Sequence, residues 1–211
     1  IIYQSVGGCA VSPLNKSALD RMNVDDLHPA LRTFVHGATQ ILLTETLEEL
    51  FLPRVGELMR ALVSHDNWLD PACAKNHPSF YQQYLLYADP DDRLSVVSFV
   101  WGPGQSTPIH DHTVWGVIGM LRGSEYAQQY DVGVGGRPNP VGHELRLMPG
   151  DVEYVSPHLG DVHQVRNAYS DRVSISIHAY GGNIGKIKRH VFAADTGNVK
   201  EFISGYATPA N

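Results

Sequence analysis

Hydrophobic positions in the first third of the chain recur at helical spacing. From about His28 to Leu43, the residues Leu31, Phe34, Val35, Ala38, Ile41 and Leu42 fall on one face, and Pro29 suits a first helical position. A second helical stretch is predicted from about Thr44 to His65, with Leu47, Leu50, Phe51, Leu58, Met59 and Leu62 on its stripe. Pro53 falls inside that stretch and is expected to kink or divide it. Stripes of this kind are packing surface, so residues 1–78 read as a helical layer and not as an independent domain.

From Phe80 onwards the period shortens towards two, and turn residues punctuate the chain. Strands are predicted at 80–87, 94–101, 114–121, 124–131, 143–147, 152–155, 161–166, 173–180 and 185–192. Asp89-Pro90-Asp91, Gly102-Pro103-Gly104, Gly133 to Pro140, Pro149-Gly150 and Gly181-Gly182 supply the breaks. Many short strands of this spacing fit a mainly β fold, a double-sheet jelly roll over residues 79–211. The helical layer would cover one outer sheet face, giving one structural domain overall.

The strand Arg172 to Tyr180, RVSISIHAY, alternates cleanly. Val173, Ile175, Ile177 and Ala179 share one face; Ser174, Ser176, His178 and Tyr180 share the other. Periodicity alone leaves the polar set open, because a half-exposed strand alternates in the same way. Facing into a barrel, the same side chains could pass hydrogen bonds from one to the next.

Composition narrows the class. The chain has 211 residues, 43% hydrophobic and 18% charged, as expected of a soluble globular protein with length for one core. A formal net charge of −6 and the lack of a basic run argue against a nucleic-acid partner. No apolar run approaches the length of a membrane helix, and no basic n-region with a following apolar stretch opens the chain, which starts at Ile1. The two cysteines, Cys9 and Cys73, make neither a disulfide framework nor a C-x2-C metal pattern, so a reducing, cytoplasmic compartment is expected. Oligomeric state is not legible.

The chemistry concentrates in GPGQSTPIHDHTVWGVIGMLRG, Gly102 to Gly123. His110 and His112 alternate around Asp111, and in an extended strand they point to the same face. Two imidazoles side by side at the mouth of a Gly/Pro turn form half of a metal site without naming the metal. The other histidines, His28, His36, His65, His77, His143, His158 and His190, lie far from this motif or near strand ends and are read as non-ligands. Trp101 and Trp115 flank the motif and are read as barrel core.

Gly104, His110, His112 and Gly123 resemble the first signature of the cupin family, G-x5-H-x-H-x3-4-E-x6-G, with Gly116 where many cupins carry a ligand glutamate. Pro157, Gly160, His163 and Asn167 resemble the second, P-x-G-x2-H-x3-N, with one extra residue after the proline. The resemblance implies a cupin jelly-roll β-barrel with an N-terminal helical layer. Two cupin alternatives remain: an isomerase or dioxygenase with another metal, and a non-catalytic module that binds a small ligand or metal.

A narrower likeness covers about Tyr81 to Arg189. The runs SFVWGPGQSTPIHDHTVWGVIGMLRG, HQVRN and SISIHAY look like bacterial thiol dioxygenases of the cysteine dioxygenase family, above all 3-mercaptopropionate dioxygenases. The resemblance implies one non-haem Fe(II) per chain, held by His110, His112 and His163, with a small thiol and O2 as substrates. It implies an outer Ser-x-His-x-Tyr set at Ser176, His178 and Tyr180, and a sulfinic acid product. Here Tyr180 would act on the reacting groups, His178 would orient its hydroxyl, and Ser176 would orient the imidazole.

Two departures from animal-type cysteine dioxygenases bear on substrate. Gly116 stands where those enzymes crosslink a cysteine to the tyrosine, so Tyr180 can form no such bond. Gln83 stands where they carry an arginine for the substrate carboxylate, and an amide cannot supply a cationic fork. The substitution favours 3-mercaptopropionate over L-cysteine. The carboxylate would instead be held by Arg189, or through Tyr180 and ordered water.

Overall fold

The computed structural model describes residues 23–133 and 135–209. Residues 1–22 of the expected helical layer, with Cys9, lie outside the described residues. After a short 3-10 turn at Val24–Asp26, α1 runs Pro29–Thr44 and α2 runs Glu48–Val63, followed by a second 3-10 turn at Pro71–Ala74. Eleven strands follow: β1 Gln82–Ala88, β2 Ser95–Trp101, β3 Ile109–His110, β4 Gly116–Arg122, β5 Glu125–Val132 and β6 Pro138–Leu147. The rest are β7 Val152–Val155, β8 His163–Asn167, β9 Ser174–Tyr180, β10 Arg189–Phe192 and β11 Val199–Phe202.

Pro29 opens α1, and the His28 side chain caps it by accepting from the Ala30 amide. Leu31, Phe34, Val35, Ala38 and Ile41 are buried along its stripe. In α2 the buried set is Phe51, Leu52, Val55, Gly56, Met59, Leu62 and Val63. Leu47 and Leu50, expected on the stripe, are instead 53% and 50% exposed, because the helix starts only at Glu48 and turns that edge outward. Pro53 does not divide the element: α2 is one helix through it. Packing of its apolar face offsets the hydrogen bond that proline cannot make.

Two antiparallel sheets form the barrel. One has the order β1-β2-β9-β4-β7, the other β11-β10-β3-β8-β5-β6. This is the mainly β, cupin-type jelly roll with N-terminal helices. Met59 and Val63 of α2 lie against Gly119 of β4, whose missing side chain admits them. That face joins the helices to Val96, Val100, Val117, Leu121, Ile175, Ile177 and Ala179 in one apolar core. A second cluster, including Val97, Phe99, Trp101, Ala127, Val165 and Tyr180, lies inside the barrel.

Strand β6 begins at Pro138, earlier than expected, and forms an exposed edge with prolines at 138 and 140, where a missing N–H is tolerated. Strands β3 and β11 were not predicted. The two-residue β3 exists only because β10 and β8 bracket it, with His110 opposite Val191 on one side and His163 on the other. That pairing carries the site.

Candidate metal centre

The barrel brings His110, His112 and His163 together from distant parts of the sequence. One nitrogen of each lies within 4.8 Å of the others, and all three side chains are buried. Their ring centroids are 4.9, 4.8 and 4.8 Å apart. His110 ends β3 and His112 follows two residues on, just past the strand, while the β3–β8 pairing sets His163 directly across from His110. Both end glycines of the first motif adopt left-handed turns, Gly104 at φ 68° and Gly123 at φ 79°.

Each ligand candidate is prepared for a cation. His110 Nδ1 donates to the Pro108 carbonyl at 3.0 Å, and His112 Nδ1 donates to Asp161 Oδ1 at 2.9 Å. Both rings therefore leave Nε2 with its lone pair free. His163 has a buried Nδ1 with no partner. Burial, then the neighbouring His112, keeps His110 and His163 well below the usual histidine range and thus neutral. Neutral imidazoles with free lone pairs suit a divalent transition metal, so the residues fit the iron that the sequence resemblance implies.

Asp161 was missed by the sequence reading. It accepts from the His112 ring and from the His112 backbone amide at 3.0 Å, and from the Thr113 amide at 2.7 Å. Thr113 sits at φ 60°, a strained position for a branched residue that this clamp holds in place. Burial raises the Asp161 pKa, but the His112 bonds outweigh it and leave the carboxylate below its ordinary value. Its position two residues before His163 was the available signal: a carboxylate that fixes a ligand's tautomer. Asp111 turns the other way and binds the His190 amide and Nδ1, both at 2.7 Å, tying β3 to β10.

Behind the histidines, the polar face of β9 points into the barrel. Ser176 Oγ lies 2.8 Å from His178 Nε2, and His178 Nδ1 lies 2.8 Å from the Tyr180 hydroxyl. The Trp101 indole donates to Ser176 Oγ at 3.2 Å. The Tyr180 ring stacks on His112 at 5.4 Å. Burial, then the proximity of His112, depresses the His178 pKa, and burial raises that of Tyr180, so both are neutral. An added Cβ at Gly116 would stand 2.9 Å from Tyr180 Cε1, so the glycine is what lets the ring lie flat there.

Arg189 and Gln83 meet on either side of Ser204. Arg189 is 3% exposed, and its Nη2 donates to Ser204 Oγ at 2.6 Å while Nε has no partner. It shares a face of β10 with Val191, which lies directly opposite His110, so the register sets it on the inner face that strand parity had left open. The Gln83 amide donates to the Gly205 carbonyl at 3.2 Å and reaches Ser204 Oγ at 3.4 Å. Asn167 of the second motif is structural, since its amide donates to the carbonyls of Trp101, Gly102 and Arg172.

Three buried imidazoles converging inside a jelly-roll barrel could hold a metal ion. The model of the family described as cysteine dioxygenase type I matches residues 32–192, and the chain belongs to that family. Membership implies an iron-dependent thiol dioxygenase that uses a thiol and O2. Among solved structures, one similar chain is an uncharacterized conserved protein with a double-stranded β-helix domain from Klebsiella pneumoniae subsp. pneumoniae. It is 18% identical, with a TM-score of 0.43 over 57% of this chain and 95% of that one. Another is a cupin superfamily protein from Desulfitobacterium hafniense, 14% identical, with a TM-score of 0.42 over 56% of this chain and 94% of that one. No helix among the described residues is long and apolar enough to cross a membrane.

Proposed function

We propose that the protein is a non-haem Fe(II) thiol dioxygenase that converts a small thiol carboxylate, with 3-mercaptopropionate favoured, to its sulfinic acid. The observation that carries this reading is the buried three-histidine cluster backed by the hydrogen-bonded Ser176–His178–Tyr180 chain. His110, His112 and His163 would hold one iron per chain. When bound, the iron would supply the site at which thiolate and O2 meet and would lower the pKa of the thiol. The sulfur yields four electrons and O2 accepts four, so both oxygen atoms end on sulfur without an external reductant.

The chain's own residues would do the rest. Arg189, buried and with an unpartnered Nε, offers a charge-assisted hold on the substrate carboxylate. Tyr180 would place its hydroxyl against the reacting groups, His178 would fix that hydroxyl, and Ser176 would fix the imidazole. Gln83 would shape the carboxylate end through the Ser204 it shares with Arg189. The substrate class follows from charge. The carboxylates nearest the histidines, Asp161 and Asp111, are spent on His112 and His190, so an α-ammonium group would enter without a partner.

The family description favours a second reading, turnover mainly of L-cysteine. Sulfinate production against concentration, with both thiols on one iron-loaded preparation, separates the two. An α-ammonium group that enters without a charge-assisted partner forgoes roughly 1.5–3 kcal/mol, which should cost cysteine about one to two decades. The expected kcat/KM for 3-mercaptopropionate is therefore at least about tenfold above that for L-cysteine. A preference for cysteine would remove the substrate assignment and leave the reaction class.

A further inference from the structure

Glu125, the first residue of β5, is fully buried, and neither carboxyl oxygen has a hydrogen bond of good geometry. An isolated acid in a barrel interior is costly to keep, and it calls for a physical account. Its cross-strand partner Asn167 bonds the Trp101 carbonyl and the Trp101 indole bonds Ser176, so Glu125 lies at the far end of the chain that leads to Tyr180. The titratable groups that face it are Glu153 from β7 and Tyr180 from β9. Its cross-strand neighbours, Leu147 on β6 and Asn167 on β8, do not titrate.

Glu153 is itself buried, with Oε2 unpartnered. It also lines a cleft of about 340 Å³ between β5, β6 and β7, beside Gln129, His143 and Tyr154.

We propose that Glu125 is a positioning residue whose proton sets the direction of the Ser176–His178–Tyr180 chain. The inference rests on the reading of Tyr180 as the group that meets the substrate. A neutral imidazole has one donor and one acceptor, so the chain can run in only two directions. With Glu125 protonated, its O–H donates to Ser176, Ser176 donates to His178 Nε2, and His178 Nδ1–H donates to the Tyr180 oxygen. The Tyr180 hydrogen then turns into the site as a donor, suited to an anion. With Glu125 ionised, every bond reverses: Tyr180 donates to Nδ1, Nε2–H donates to Ser176, and Ser176 donates to the carboxylate. Tyr180 then offers the site only a lone pair. The Trp101 N–H donates to Ser176 in both states, so it fixes the hydroxyl without choosing the direction.

Which state rules at neutral pH follows from burial. Burial, opposed by the Ser176 and Trp101 contacts and reinforced by Glu153, pushes Glu125 up to about 8, and burial pushes Glu153 up to about 7. Glu125 is thus protonated at neutral pH, and Tyr180 is a donor. Raising pH through that range turns it into an acceptor.

The test reads the His178 tautomer by its ring 15N shifts in full-length protein loaded with Zn(II), which keeps the histidines ligated without paramagnetism. In the wild type the protonated nitrogen should move from Nδ1 to Nε2 with a midpoint near 8. In Glu125→Gln, whose amide keeps a donor but cannot ionise, His178 should hold one tautomer throughout. Ser176→Ala cuts the same link without touching the buried acid, and it should also abolish the change. For the iron-loaded enzyme, the alkaline limb of the kcat profile should disappear in Glu125→Gln. A wild-type tautomer that never changes, or one that changes identically in both variants, overturns the proposal. A failed dioxygenase reading would show separately, as no sulfinate from any thiol while the tautomer still switches.

Discussion

The two faces of β9 are equally buried and chemically opposite. Ile175, Ile177 and Ala179 on the outer face are 0% exposed, while Ser176, His178 and Tyr180 on the inner face are 0%, 3% and 1% exposed. The outer face packs into the helical core and gains by removing apolar area from water. The inner face loses as much hydration and recovers it through two 2.8 Å hydrogen bonds. One strand therefore carries stability on one side and prepared chemistry on the other. Damage to the outer face should appear as lost stability, and damage to the inner face as altered turnover or metal binding.

The largest separation should come from the metal ligands themselves. His163→Ala removes one of three donors that converge within 4.8 Å, so iron content and turnover should vanish together while the fold remains. Stoichiometric iron with normal turnover in that variant would show that the ligand set is wrong. On the outer face of β9, Ile177→Ala should cost about 2–5 kcal/mol in denaturant unfolding, the usual range for such a core truncation. It should leave iron affinity unchanged; a loss of iron without a loss of stability would break the division between the faces. On the inner face, Tyr180→Phe should retain iron but leave His178 Nδ1 unpaired, costing roughly 1–3 kcal/mol of stability. Its turnover should slow, or O2 consumption should exceed sulfinate formed. Unchanged rate and coupling with every thiol would take Tyr180 out of the mechanism.

What could be read in the sequence depended on whether the signal was local. The alternation of Ser176, His178 and Tyr180 is local, and so is the spacing of His110 and His112; His163 came from a second motif. Strand β3 has no period of its own, since two residues become a strand only when β8 and β10 arrive from far along the chain. The direction of Arg189 was likewise undecided until the β10–β3 register, with Val191 opposite His110, fixed its face. Pro53 looked like a break because a local rule was applied where tertiary packing dominates. Asp161 and Glu125 fell within the strands predicted at 161–166 and 124–131 and were not singled out. Both matter because of groups dozens of positions away, His112 for one and Ser176 for the other.

The central claim is that this barrel inserts both atoms of one O2 into a thiol sulfur. Its most direct test is mass analysis of the product formed from 3-mercaptopropionate by the iron-loaded protein under isotopically labelled O2, with O2 uptake recorded in parallel. The account predicts a sulfinate with both new oxygens labelled and one O2 consumed per product. A disulfide product, or a sulfinate bearing oxygen from water, would contradict it.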